Sequence, residues 1–184
     1  MCADCPTRLA ADPRGAFPVF VTHHQDLVYG MARRWTATPD DARDVAQDSL
    51  IRAWRAIERY DRDRLRDLQV RGWLAAIVRN VARNRVRDAG PPHDPIEAAG
   101  DPEDARATRP EQAALAGEAA REWAGRLARL PERQRLAIEL RHVHGLSYPE
   151  MAAALGRPVN TLKSDVHRGV LALREALVGM EVAG

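Results

Sequence analysis

Apolar residues return every three or four positions along most of the chain and nowhere alternate with polar ones, a period that predicts helices and no strands. A first helix is expected from about Pro18 to Trp35, with Phe20, Leu27, Val28, Met31 and Trp35 on one side. The second is better marked. Thr38 can cap it, Pro39 suits its first position, and Asp40 and Asp41 favour the positive end of its dipole. Its apolar stripe is Ala42, Val45, Ala46, Leu50, Ala53, Trp54 and Ile57, and the opposite side carries Asp41, Asp44, Asp48 and Arg52. After a charged connector over 59–69, a third helix should run from about Val70 to Arg87, with Trp73, Leu74, Ile77, Val81 and Val86 inward. Arg79, Asn80, Arg83, Asn84 and Arg87 then share the other face, which suits phosphate or base-edge contacts and equally suits plain solvation.

Beyond a break, helices are expected from about Pro110 to Leu130 and from Pro131 to about His144, the latter with Leu136, Ile138, Leu140 and Val143 as core candidates. Gly145 can take the left-handed conformation that ends it. Ser147 and Glu150 form a capping box, Pro149 sits in the first turn, and the short helix stops at Gly156. A new helix starts after Pro158, so the segment reads as a helix-turn-helix. In that last helix Val159, Leu162, Val166, Val170 and Leu173 are spaced to face the core. Asn160, Thr161, Lys163, Ser164, His167 and Arg168 stay outside near its N-terminal half, the part of a recognition helix that meets base edges. A structural helical hairpin with a polar face is the blander alternative.

Charge changes this picture more than composition does. The 184 residues carry 28 basic and 26 acidic side chains, a net of +2 that argues against a simple polycationic coat. The average hides three blocks: residues 1–90 are net +4, residues 91–120 net −5, and residues 121–184 net +3. The acidic block coincides with Gly90, Pro91, Pro92, Pro95, Gly100, Pro102 and Pro110, so about 89–110 reads as a linker. The expected fold is therefore all-α: two small helical domains joined by a flexible acidic Pro-rich linker, the C-terminal one containing the helix-turn-helix. Lys163 is the single lysine. No apolar run is long enough to span a membrane, and the N-terminus lacks the layout of a secretory signal, which points to a cytoplasmic protein. Cys2 and Cys5 have a metal or redox spacing, with His23 and His24 downstream, but a pair in a frayed terminus is commonly incidental. His142 and His144 suit a helix C-terminus. No catalytic, cofactor or metal constellation is evident, and no enzyme activity is expected.

Three motifs, in order, resemble one family. Leu130-Pro131-Glu132-Arg133-Gln134-Arg135, Gly145 to Ala152 and Val159-Asn160-Thr161-Leu162-Lys163-Ser164 look like the C-terminal DNA-binding domain of extracytoplasmic-function (ECF) sigma factors, in the sigma-70 family of bacterial RNA polymerase subunits. Asp41 to Asp48 with Arg52-Ala53-Trp54 resembles that family's polymerase-binding helix. Arg71 to Ala82 resembles its promoter-melting and −10 helix. The resemblance covers about residues 17–178.

It implies a disordered tail over 1–16, sigma domain 2 over 17–88, a linker over 89–112, sigma domain 4 over 113–178 and a tail over 179–184. It also implies core RNA polymerase binding through Asp41, Asp44, Gln47 and Asp48, contact with −10 DNA through Arg79, Asn80, Arg83 and Arg87, and contact with −35 DNA through Asn160, Thr161, Lys163, Ser164, His167 and Arg168. The loop at about Tyr60–Gln69 would hold a flipped base, the linker would thread the polymerase cleft, and an anti-sigma factor is a further implied partner. Asp165 stands where the family usually has a basic residue, and Gly169 lies inside the recognition helix; both bear on the strength of −35 binding. A free-standing helix-turn-helix regulator and a helical protein-interaction adaptor are the rival readings; neither requires the acidic helix to meet polymerase.

Overall fold

A computed structural model describes residues 4–88 and 122–181, and the regular structure in those residues is helical. The linker and most of the helix expected from Pro110 lie outside the described residues. The first half holds α1 (Cys5–Ala11), α2 (Pro13–Arg34), α3 (Pro39–Ile57), α4 (Arg62–Arg66) and α5 (Val70–Asp88). The second half holds α6, helical over 122–128, then α7 (Glu132–Ile138), α8 (Tyr148–Leu155) and α9 (Val159–Glu181).

The strongest local signals appear where the sequence puts them. The Thr38 hydroxyl accepts from the Asp41 amide at 3.0 Å and starts α3. Both bonds of the capping box start α8: Ser147 Oγ accepts from the Glu150 amide at 3.3 Å, and Glu150 accepts from the Ser147 amide at 2.7 Å. Gly145 and Gly156 adopt φ of +62° and +65°, the left-handed region in which a side chain is strained.

Several expectations need correction. The N-terminal tail is a helix: α1 buries Cys5, Leu9 and Ala10 against α4, so 5–11 is not disordered. The next helix begins at Pro13, not Pro18, because the Asp12 carboxylate accepts from the Gly15 amide at 3.0 Å and sets the cap one and a half turns earlier. The charged connector is not a floppy loop either. Asp61 caps α4 and Leu65 anchors it in the core. Finally, α7 ends in a π-helical turn over Glu139–Val143, which swings Val143 out to 64% exposure while Leu140 stays buried. Val170 is likewise exposed, and α9 runs on through 179–181, where a tail was expected.

The two halves are docked. Leu74, Val78 and Ala75 of α5 belong to one continuous apolar cluster with Leu140, Leu146, Met151 and Ala154 of the second half. Gly72 makes this possible: a Cβ there would lie 2.8 Å from the Glu150 Cα and 2.9 Å from its carbonyl oxygen. Polar contacts frame the apolar seam. Arg71 donates to the His144 carbonyl, and Arg34 pairs with Glu132 and, at 2.5 Å, with Glu139.

Gly169 answers a similar question inside the second half. A Cβ there would lie 2.6 Å from Ile138 Cδ1 and 3.3 Å from Gln134 Cβ, so the glycine lets α9 press on α7. A glycine in a helix interior costs about 1 kcal/mol against alanine, and here the close approach is what it serves.

Candidate polymerase and promoter interfaces

The acidic residues of α3 lie on its outer face, as their spacing requires. Gln47 and Asp48 are exposed. Asp44 and Asp41 have a partner that the sequence did not reveal: Arg85 of α5 lies 2.7 Å from Asp44 and 3.6 Å from Asp41. The hydrogen bond that Arg85 donates to Asp44 raises the Arg85 pKa above its already high ordinary value. One guanidinium thus braces α5 against α3, and the outward acidic charge is weighted toward Asp48. Alongside lies an apolar trough of about 440 Å³ between α2 and α3, lined by Phe17, Val21, Tyr29, Leu50 and Trp54, with Gln47 on its edge. The spacing of these residues made them core candidates or left them unremarked, and only the packing of α2 on α3 brings them together.

The candidate −10 residues divide. Asn80, Arg83 and Arg87 are exposed along α5. Arg79 is half-buried and donates to the Ala154 carbonyl at 3.1 Å, at the end of α8. It therefore serves the docked interface in this arrangement, a position that one-dimensional periodicity cannot reveal. In the connector, the Arg64 guanidinium lies 3.8 Å over the Tyr60 ring centroid, and the tilted Trp73 ring lies 6.2 Å away.

The candidate −35 residues stay together on α9. Asn160, Lys163, Ser164, His167 and Arg168 are exposed and Thr161 is half-buried. The Ser164 hydroxyl donates to the Asn160 carbonyl at 3.0 Å, and the Lys163 ammonium lies 5.8 Å over the Tyr148 ring. Asp165 is on the same helix but not on the same face; it is fully buried.

Histidines at the junction are held neutral. Burial, with His23 and Arg71 nearby, lowers the His24 pKa to about 4. Burial and Arg71 also lower that of His144. Burial raises the Glu139 pKa despite Arg34 and Arg135, whereas Glu132 is lowered because the same two arginines together outweigh its own desolvation. Among the described residues no His/Cys/Asp/Glu group is arranged to hold a metal, and Cys5 is buried in the core. No helix among them is long and apolar enough to cross a membrane.

An acidic helix face, a helix with exposed Asn80, Arg83 and Arg87, and a helix-turn-helix follow one another in this order along the chain. Residues 20–91 match Sigma-70 region 2 and residues 121–173 match Sigma-70 region 4. The chain is 33% identical over 162 residues to the ECF RNA polymerase sigma factor SigE of Mycolicibacterium smegmatis, covering 85% of this chain and 60% of that protein's length. It is 30% identical over 178 residues to the RNA polymerase sigma-H factor of Pseudomonas aeruginosa, covering 92% and 90% of the two. The fold is similar to that of the sigma factor RpoE in complex with the anti-sigma factor NepR from Bartonella quintana, with a TM-score of 0.62, 25% identity and coverage of 88% and 96%. The chain belongs to the ECF group of the sigma-70 family of RNA polymerase sigma factors. Its function is that of the family: it directs core polymerase to promoters and initiates transcription there.

Proposed function

We propose that the three surfaces divide this work residue by residue. Asp41, Asp44, Gln47 and Asp48 meet core polymerase, with the apolar trough beside them taking a partner side chain. Arg79, Asn80, Arg83 and Arg87 meet −10 DNA. Asn160, Thr161, Lys163, Ser164, His167 and Arg168 meet the −35 element. The observation that carries the assignment is the row on α9, where five exposed polar side chains follow a left-handed turn at Gly156. That is the geometry with which a recognition helix enters a major groove. An acidic face gives orientation and on-rate toward a basic partner more than raw affinity.

The factor supplies no catalytic groups, and phosphodiester chemistry belongs to the polymerase. It works in the cytoplasm. An anti-sigma factor, as found with the RpoE relative, is the partner that would hold it inactive. The acidic linker over 89–112 connects the two promoter-reading halves within the polymerase. Arg79 is half-buried against the end of α8, and its full exposure to promoter DNA follows separation of α5 from α8.

Run-off transcription with core polymerase tests the whole reading. A promoter-dependent transcript is expected, and retention on core enzyme in a pull-down. Absence of either overturns it. Within that assay, Arg168→Ala should weaken −35-dependent initiation and leave core binding unchanged, whereas Asp48→Arg should weaken core binding and lower initiation alike on promoters with and without an intact −35 element.

A further inference from the structure

A carboxylate in a DNA-reading helix ordinarily works against binding, because it repels phosphate. Asp165 does not face the groove side of α9. Its side chain is 1% exposed, and each of its oxygens is occupied by a different arginine. Oδ2 accepts from Arg157 Nη2 at 2.5 Å, and Oδ1 lies 3.4 Å from Arg168 Nη2. The two arginines come from different local structures. Arg157 belongs to the turn that follows Gly156, and Arg168 to the exposed row of α9. Arg168 is tied a second time, through Nε to the Ser164 carbonyl at 3.3 Å.

Two guanidiniums this close would repel one another without the carboxylate between them. With it they form a cluster of net charge +1 fixed beside the recognition row. Neither arginine is consumed by the contact. A guanidinium has five donors in a rigid fork, and one bond to Asp165 leaves others for phosphate oxygens or base edges. Both side chains retain solvent access, 29% for Arg157 and 55% for Arg168. Long side chains held in place before binding lose less freedom when the ligand arrives.

We propose that Asp165 is a positioning residue for −35 recognition, holding Arg157 and Arg168 as a fixed pair, and that Arg157 is a further DNA-contacting side chain of that surface. The proposal rests on the reading that α9 reads the −35 element. It also explains how an acid comes to stand in a helix where a basic residue would seem the better choice: the charge is turned inward and used to aim two cations outward.

The sign of one substitution separates this from simple electrostatics. Asp165→Asn removes a negative charge next to DNA, which by charge alone should tighten binding and steepen its salt dependence. Positioning requires the opposite. The full-length chain with core polymerase is assayed on a promoter with an intact −35 element and on one with that element scrambled, with core binding measured in parallel. Asp165→Asn should lower −35-dependent initiation about tenfold, the scale of one lost specific contact. It should have no further effect when Arg157 and Arg168 are both alanine. Equal or stronger initiation by Asp165→Asn, or a full additional loss in the double-alanine background, overturns the proposal.

Arg157→Ala provides an independent arm, because it leaves the buried carboxylate with Arg168 and does not depend on Asp165→Asn folding. It should weaken −35-dependent initiation and lower the salt slope by about one. Wild-type behaviour there also overturns the proposal. Lys163→Ala and Arg168→Ala are the controls on the underlying reading. If neither affects −35 dependence, α9 is not the reader. If both do and the Asp165 and Arg157 variants do not, both parts of this proposal fall and the reading of α9 stands.

Discussion

On α5 the candidate −10 side chains share their helix with a packed interface, whereas on α9 the candidate −35 side chains form a surface that none of the described residues covers. Both helices begin from ordinary amphipathic sequence. The difference lies in the second face. The inward side of α9 packs on α7 and α8 of its own half, and its outward side is left open. The inward side of α5 packs on α2 and α3, and a further side, around Gly72, Ala75 and Arg79, packs on α8. One helix therefore offers its polar row directly, while the other yields part of its row to the opposite half of the chain. A polar row read from sequence says what a face is able to bind, and the packing decides what it is binding at a given moment.

Acid should break this comparison on the docked side first. His24 carries a pKa of about 4 in the fold against about 6.5 in an unfolded chain. Between those values the unfolded chain binds more protons, so stability rises with pH and is lost as pH falls from about 6.5 toward 4. The loss from His24 alone is about 3 kcal/mol at most, and His144 adds to it in the same direction. Denaturant melts at pH 7.5 and pH 5 should show the drop, and His24→Gln should flatten it. A pH-independent midpoint over that range would mean that these rings are not held neutral.

Gly72→Ala tests the docking itself. Its Cβ would overlap the Glu150 backbone, an overpacking cost of about 2 kcal/mol, while α5 gains helix propensity. Each half should stay folded and the two should separate, seen as a larger radius in small-angle scattering. An unchanged radius would show that the seam gives way easily. Gly169→Ala is the matching probe on the other side. The clash with Ile138 Cδ1 should outweigh the propensity gain and cost a net of about 1 kcal/mol, confined to the second half. Hydrogen exchange in α7 and α9, with α3 unchanged, would report it. The smallest expected effect is that of Ser147→Ala, about 1 kcal/mol or less from loss of the cap on α8. A thermal melt should show it as a shift of a few degrees.

What could be read in advance follows a physical line. Caps, left-handed glycines and helix periods are local, and Thr38, Ser147, Gly145 and Gly156 mark the structure from within a few residues. The segments read wrongly owe their shape to distant partners. Cys5–Ala11 is too short to announce a helix by itself and exists on the surface that α4 supplies. Leu65, in a run of charges, is the one apolar anchor that turns a connector into α4. Val143 and Val170 fit the apolar period yet lie exposed, Val143 in the π-helical turn that follows α7 and Val170 on α9 outside the side that buries Leu173. The site residues show the same division. The α9 row was visible because its period is intrinsic, whereas the partners of Arg79 and Arg85 lie on other helices and the Arg157 that meets Asp165 lies across a turn.

Gly72 also has a bearing on populations. Its missing side chain removes a steric veto where α5 meets the start of α8, so it bears on the balance between a docked and a separated arrangement of the halves. An equilibrium of that kind has two members, and whatever binds only the open one works at an affinity reduced by the open fraction. A chain that is open one time in a hundred would bind about a hundredfold more weakly than its exposed surfaces alone would allow. On the proposed reading, one hydrogen atom in place of a methyl group bears on how far the docked arrangement must be displaced before promoter DNA meets Arg79.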